Sequence, residues 1–370
     1  MYTILTVTGH QKDYPIYVIQ SESLLPTLQK YIQSKTRIYV LIDASVVSLY
    51  TPTLTKLQTK NDITIIEVVA LEKNKSWEKL EEVLKVIHAT QPTQDSVVIG
   101  IGGGLVLNLA GMISGLMMRG MPYISIPTTI TAQIDACIGS KQAINFAGSK
   151  NWVGLYFDPI TCLIDPHVIN HMNSYQSRSQ WTEAIKLLLC EDYGLLKKMK
   201  DDLAIGNADI EKIYSEWIIC LLKLKIQLLK QDLYEHGRAA SLLYGHELAH
   251  ALESVSNGSI SHGEAVGVGM IFASVIAEQC IDHYPHAYTV LHKNLIAKLG
   301  LMTVIPSHIS IEKLMQQLVY NKKNTRADSV SFVLIEKPGT LYLDKESQSY
   351  YNPISLKIVN QCLGLMYENI

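Results

Sequence analysis

The chain has 370 residues, of which 48 % are hydrophobic and 18 % charged, with a formal net charge of −2. That balance excludes a disordered segment, and the lack of a long basic run removes the electrostatic footprint that nucleic acid or an anionic membrane surface requires. The length exceeds what one hydrophobic core usually serves, so two domains binding a small molecule are expected.

The first half alternates short β-branched runs with helical-period stretches. "RIYVLID" (Arg37 to Asp43), "DITIIEVVAL" (Asp62 to Leu71), "DSVVIGIGGG" (Asp95 to Gly104) and "PYISIPTT" (Pro122 to Thr129) read as strands. "SWEKLEEVLKVIHAT" (Ser76 to Thr90) and "LVLNLAGMISGLMM" (Leu105 to Met118) read as the helices between them. This alternation predicts an α/β domain with a doubly wound, Rossmann-like parallel sheet over residues 1–165. Residues 166–370 are expected to be mainly α-helical, with helices over Trp181–Met199, Ile210–Gln231, Ala239–Glu253, Glu264–Cys280 and Ile311–Val319. A late hairpin is expected over Ser329–Asp344, with Pro338 and Gly339 in its turn.

The uncharged run from Ser96 to Met118 carries Asn108 and many glycines, and reads as a buried turn and helix rather than a membrane span. Cys137, Cys162, Cys190, Cys220, Cys280 and Cys362 show no C-x-x-C spacing. This is the usage of a reducing compartment, and with no secretory signal visible the cytoplasm is the expected location.

Three segments carry chemistry. In "IGIGGGLVLNLAG" a strand runs into Gly102, Gly103 and Gly104 and then a helix, so backbone can approach a ligand and a helix N-terminus can hold an anion. The spacing is not G-x-G-x-x-G, and these residues alone leave pyrophosphate binding and tight packing equally open. From Pro127 to Gly154, Asp135, Lys141, Asn145, Lys150 and Asn151 lie among small residues. Charged groups so placed pair with one another or touch a ligand, and lysines suit phosphate; a solvated loop is the alternative.

The third segment is "YGHELAHALESVSNGSISHGEAVGVGM" (Tyr244 to Met270), together with "WTEAIK". His246 and His250 share a helix face at i and i+4, Glu183 and Lys186 share one at i and i+3, and His262 precedes a further helix. Two histidines and a carboxylate suit a four-coordinate zinc with one open position. Three ordinary helix histidines remain the competing reading.

These elements occur in one order: "LEKNKS", "GGGLVLNLAG", "MRG", "PTT", "IDACIGSKQAIN", "SKNWVG", "CLID", "EAIK", "YGHELAHALE", "SHGEAVGVGM" and "NKK". Together they resemble the sugar phosphate cyclases of the 3-dehydroquinate synthase type through most of the chain. The resemblance implies a dehydroquinate synthase-like fold, NAD as cofactor, and one divalent metal, Zn or Co, on Glu183, His246 and His262. It implies that His250 faces substrate. NAD would lie on Gly102, Gly103, Gly104, Thr128 and Thr129, with Asp43, Glu72, Lys75, Asn108 and Lys150 in the same cofactor set. Asp135 and Lys141 would stand where nicotinamide meets substrate. Arg119, Asn151, Lys186, Lys225 and Lys323 match positions that hold phosphate or the polar groups of the sugar, and the counterpart of Arg119 reaches a neighbouring subunit, which implies a homodimer. The implied reaction is transient oxidation by NAD, phosphate elimination, re-reduction and intramolecular aldol closure.

Departures from the family pattern bear on substrate. Members that cyclise a keto acid carry Arg and Asn where this chain has Ala239 and Leu243. Without a bidentate arginine, a carboxylated substrate is not expected. Arg238 could replace that arginine only if the backbone shifted. Asn108, "KQAIN", "QDLYEHGR" and "HGEAVGVGMIFAS" resemble the branch that cyclises glucose 6-phosphate to 2-deoxy-scyllo-inosose for antibiotic biosynthesis, although that branch has an acid at Leu243. "NFAGSKN" resembles the sedoheptulose 7-phosphate cyclases, which lack the counterpart of His250. An NAD-dependent polyol phosphate dehydrogenase is the alternative of another class.

Overall fold

The computed structural model describes residues 3–59, 61–203, 210–320 and 328–367. The chain forms two compact units, Met1–Asn173 with Tyr214–Leu233, and Ser174–Ile213 with Tyr234–Ile370.

In the first unit the strands are β1 (Thr3–Val7), β2 (Tyr14–Val18), β3 (Ile38–Asp43), β4 (Ile63–Val68), β5 (Val97–Gly102), β6 (Tyr123–Pro127), β7 (Lys141–Phe146), β8 (Ser149–Tyr156) and β9 (Thr161–Ile164). All but β7 and β8 join one sheet in the order β1-β2-β9-β6-β5-β3-β4. The β1–β2 pair is antiparallel and the rest of the sheet is parallel. β7 and β8 pair with each other as a separate antiparallel hairpin.

The helices α1 (Ser21–Ile32), α2 (Val47–Gln58), α3 (Trp77–Ala89) and α4 (Gly104–Leu116) cover the sheet. In β3, Ile38, Val40 and Ile42 pack with Leu24 and Leu28 of α1 and Leu54 and Leu57 of α2. The alternate residues Tyr39 and Leu41 pack with Leu80 and Val83 of α3 and Leu109 and Ile113 of α4. A period-two strand buried on both faces therefore reads as an unbroken apolar run, and each fully buried Ile, Val or Leu stabilises by about 1.5–3 kcal/mol.

From β3 the chain goes outward to β4, then returns to β5 on the other side of β3. This reversal opens a crevice at the carboxyl ends of β3 and β5, where Asp43 and Gly102 lie. After β6 the chain makes one wide π-helical turn, Ala132–Ala136.

The second unit contains α5 (Ser174–Glu191), α6 (Tyr193–Leu203), α8 (His246–Val255), α9 (His262–Cys280), α10 (His286–Lys298), α11 (Ile311–Val319) and α12 (Leu356–Gly364). Between α6 and α8 runs α7 (Ile210–Gln231). From Tyr214 onward α7 belongs with the first unit, where the Tyr214 hydroxyl donates to the Gln133 side chain at 2.9 Å. The larger part of α7 therefore groups with the first unit, although it lies within residues 166–370. The residues Gly263–Ala277 of α9 are all buried. Its length and apolarity would suffice to cross a membrane, yet 83 % of that stretch is packed inside the unit, as befits a core helix.

Three expected elements differ. The helix expected over Ala239–Glu253 is a short 3₁₀ segment, Arg238–Leu243, followed by α8. Gly245, at φ +78°, breaks it, and a Cβ there would lie 2.6 Å from the Met270 amide nitrogen, so the close approach of α8 to α9 requires glycine. The helix expected over Trp181–Met199 divides at Asp192 into α5 and α6. In the late hairpin, β11 (Ile335–Lys337) and β12 (Thr340–Leu341) do flank Pro338 and Gly339. However, β10 (Ser329–Val333) pairs with the later β13 (Tyr351–Ser355), which supplies a longer ladder than the short returning strand.

Candidate active site

In the first unit, Gly102 ends β5 against the start of α4. A Cβ on it would meet the Cβ atoms of Val106 at 2.8 Å and Asp43 at 3.1 Å, so strand and helix could not come this close with a larger residue. Gly103 caps α4 without a side-chain hydrogen bond, leaving the first-turn amides for an anion. Asp43 is 6 % exposed and accepts from the Ser45 amide and hydroxyl at 2.9 and 2.8 Å. Thr128 is buried, and its hydroxyl has no partner among the described residues. Thr129 accepts from the Ala132 amide at 3.3 Å, and Asn108 is half-buried on α4. A narrow glycine-lined crevice, uncapped amides and a partnerless buried hydroxyl fit a dinucleotide diphosphate.

The β7–β8 hairpin gathers a second group. Asn145 donates to Glu72 at 2.7 Å, and Lys150 lies 3.7 Å from the same carboxylate. Lys75 donates to the Asn151 side chain, and the Asn151 amide donates to Asn145 at 3.0 Å. Asn151 sits at φ +51°. Glu72, Lys75, Lys150 and Asn151, distant in the chain, are therefore neighbours. Elsewhere in the unit the Lys225 ammonium pairs with the Asp135 carboxylate and donates to its carbonyl at 2.8 Å, which ties α7 to the π-helical turn. Lys141 is exposed at the start of β7, and Arg119 is exposed beyond α4 at φ +62°. Lys323 lies outside the described residues.

In the second unit, α5, α8 and α9 bring Glu183, His246 and His262 together, with one ligand atom from each inside 4.8 Å. Glu183 Oε1 is 3.4 Å from His246 Nε2 and 3.3 Å from His262 Nε2. It is buried with no hydrogen-bond partner among the described residues. Ligands held tetrahedrally at 2.0–2.2 Å from a zinc ion stand about 3.4 Å apart, so each histidine nitrogen already stands at the separation from Oε1 that such an ion would impose. The donor set fits a divalent cation. The His250 ring lies edge-on to His246 at 5.5 Å between centroids.

The charges around this triad are unequal. Burial would raise the Glu183 carboxyl, but the Lys186 ammonium, 2.5 Å from Oε2, and His246 hold it well below the usual carboxylate range. Burial and Lys186 lower the His246 imidazole, which favours the unprotonated ring that can ligate. Burial would also lower His262, yet Glu183 and Glu253 push it up to about 10. With 39 % of that side chain exposed, solvent tempers the pull. His262 would have to give up the proton on Nε2 before that nitrogen could hold a cation.

The 3₁₀ segment Arg238–Leu243 is tied to the triad's neighbourhood through Lys186. Ala239 is fully buried and Leu243 half-buried, while the Leu242 carbonyl accepts from Lys186 at 2.6 Å. Arg238 is engaged elsewhere, donating to Glu191 at 2.9 and 3.3 Å.

Sequence reasoning missed two residues here. Glu191, 47 positions from Arg238, leaves no periodic signal. Glu253 lies 3.3 Å from His262 Nδ1, and it could have been found, since His246, His250 and Glu253 at i, i+4 and i+7 share one face of α8.

The 3-dehydroquinate synthase N-terminal profile matches residues 65–179 and the 3-dehydroquinate synthase C-terminal profile residues 181–324. A 2-deoxy-scyllo-inosose synthase of Streptomyces kanamyceticus is 32 % identical over 277 residues, covering 72 % of this chain and 70 % of the relative. A 3-dehydroquinate synthase of Bacillus cereus is 31 % identical over 335 residues, covering 89 % and 91 %. Among solved structures, 2-deoxy-scyllo-inosose synthase complexed with carbaglucose-6-phosphate, NAD+ and Co2+ superposes with a TM-score of 0.88 at 24 % identity, covering 98 % of this chain and 99 % of that one.

Proposed function

The chain belongs to the 3-dehydroquinate synthase family, and from that premise we propose that it cyclises glucose 6-phosphate to 2-deoxy-scyllo-inosose with release of phosphate. The observation that supports the substrate choice is that Arg238 is committed to Glu191, while Ala239 and Leu243 beside it in the chain carry no charge. A keto acid would find no arginine there to receive its carboxylate, whereas a neutral sugar needs none.

Glu183, His246 and His262 would hold Zn or Co. Gly102 to Gly104, Thr128 and Thr129 would hold NAD, with Asp43, Glu72, Lys75, Asn108 and Lys150 around it. When bound, the metal would acidify a sugar hydroxyl and NAD would supply a reversible oxidation at that carbon. Asp135 and Lys141 would meet the reacting end of the substrate, and His250 would orient its hydroxyls. Arg119, Asn151, Lys186, Lys225 and Lys323 would bind phosphate and offset the charge it gains on leaving. Two copies would assemble as a homodimer through the region of Arg119. The free, mostly buried thiols accord with work in the cytoplasm, and the product would suit antibiotic biosynthesis.

Purified protein given glucose 6-phosphate, Co²⁺ and substoichiometric NAD should release one phosphate per substrate without accumulating NADH absorbance. Conversion of the added NAD to NADH without phosphate release would identify a polyol phosphate dehydrogenase instead. Turnover of sedoheptulose 7-phosphate or of the phosphorylated keto acid, but not of glucose 6-phosphate, would overturn the substrate.

A further inference from the structure

We propose that Glu253 is a positioning residue for the metal site, accepting the Nδ1 proton of His262 so that Nε2 of the same ring faces the cation. This inference rests on the metal reading of the triad and adds to it a residue outside the ligand set.

The argument begins in the chain. α8 carries His246 and Glu253 seven residues apart on one face, so an element that contributes a ligand at its start contributes a carboxylate two turns later. Ser256 to Ser261 then returns the chain to the first residue of α9, which is His262. The Ser261–Glu264 capping box fixes that start: the Ser261 side chain accepts from the Glu264 amide, and the Glu264 side chain accepts from the Ser261 amide. The His262 ring therefore leaves a rigid helix end with a carboxylate on either side. Nε2 is 3.3 Å from Glu183 Oε1, and Nδ1 is 3.3 Å from Glu253 Oε1.

A neutral imidazole carries one proton on one of two nitrogens, and only the other can bind a metal. Glu253 is 8 % exposed. A carboxylate so buried needs a donor, and Nδ1–H supplies it. That hydrogen bond selects the tautomer with its lone pair on Nε2, beside Glu183 and His246. Glu247 on the same helix shows a contrasting, structural use of a buried carboxylate, since it accepts from the Val333 amide at 2.9 Å.

The test is a Co²⁺ titration of metal-free protein, followed by the visible absorption of bound cobalt. Glu253→Gln keeps the volume of the side chain, so a packing role would survive it. Its amide, however, can donate to Nδ1 and favour the wrong tautomer. Cobalt binding weaker by about 10–100-fold, with an altered cobalt spectrum and unchanged melting of the metal-free protein, is the expected result. Wild-type affinity and spectrum in the variant would overturn the proposal. Should the variant not fold, ¹⁵N-histidine NMR of the zinc-loaded wild-type protein decides: His262 protonated at Nδ1 and metallated at Nε2 supports the role, and the reverse refutes it. A wild-type protein that binds no Co²⁺ would bring down the metal reading itself, an outcome distinct from a metallated protein indifferent to Glu253.

Discussion

Glu183 answers to three neighbours at once. One oxygen lies beside two imidazoles and the other touches Lys186, all in a site where the carboxylate is 3 % and the ammonium 2 % exposed. Replacing it by Gln leaves the Lys186 charge buried without a counter-charge, a change that costs about 3–5 kcal/mol. Urea denaturation of metal-free Glu183→Gln should show that loss, and the variant should bind no cobalt. His292 gives a pH dependence away from the metal. Its Nε2 meets the Tyr244 hydroxyl at 2.9 Å and its Nδ1 the Tyr288 carbonyl at 2.6 Å, and burial pulls its imidazole down to about 4. The unfolded chain takes up the proton near pH 6.5 while the folded one does not. Stability contributed by neutral His292 is thus complete above pH 6.5 and is lost as pH falls towards 4, by about 3 kcal/mol. Unfolding free energies from urea denaturation at pH 7 and 4.5 should differ by about 2 kcal/mol on account of this group in wild type, and by markedly less in His292→Phe.

Helix packing places the ligands. α8 begins where Gly245 lies against Met270 of α9, and this crossing sets His246 beside His262. Gly245→Ala meets both a disfavoured positive φ and a steric block, so it should destabilise by at least about 2 kcal/mol and lower cobalt affinity. A melting scan and the cobalt titration check both effects. The same glycine shows where sequence patterning stops. Ala239, Ala240, Leu242 and Leu243 continue the helical period of α8, so the periodicity runs through a break that only the approach of α9 imposes. The parallel strands were legible because two-sided burial writes itself as continuous apolar runs. The partner of β10 was not, since the pairing with β13 spans an intervening hairpin that a local turn signal cannot reveal. At the site, His246 and His250 announced themselves by spacing. The Arg238–Glu191 pair and the Lys150–Glu72 approach depend on long-range folding and left no local mark.

Across the whole molecule, the features suited to the two cofactors fall in different units: the glycine turn in the first, the Glu–His–His triad in the second. α7 belongs largely to the first unit although it lies within the stretch expected to form the second, because Tyr214 and Lys225 bond to Gln133 and Asp135. The proposed homodimer is tested at this scale. Arg119 is exposed next to Met118 and Leu116, which are 37 % and 44 % exposed. Sedimentation should give twice the chain mass of 41.3 kDa, and Arg119→Glu should shift the equilibrium towards monomer. A wild-type protein sedimenting as a monomer at assay concentration would dispose of the dimer.

The buried core helix α9 has a consequence for the protein's synthesis. It leaves the ribosome as an apolar stretch long enough to be mistaken for a membrane anchor, and its covering partners arrive from both directions: α5 and α8 are made before it, α10 and α12 after. Until Leu356–Gly364 has been translated, one flank of α9 has nothing to rest on. The most hazardous interval in this chain's life therefore falls between residues 280 and 364, when a nearly finished protein still displays the surface that will become its centre.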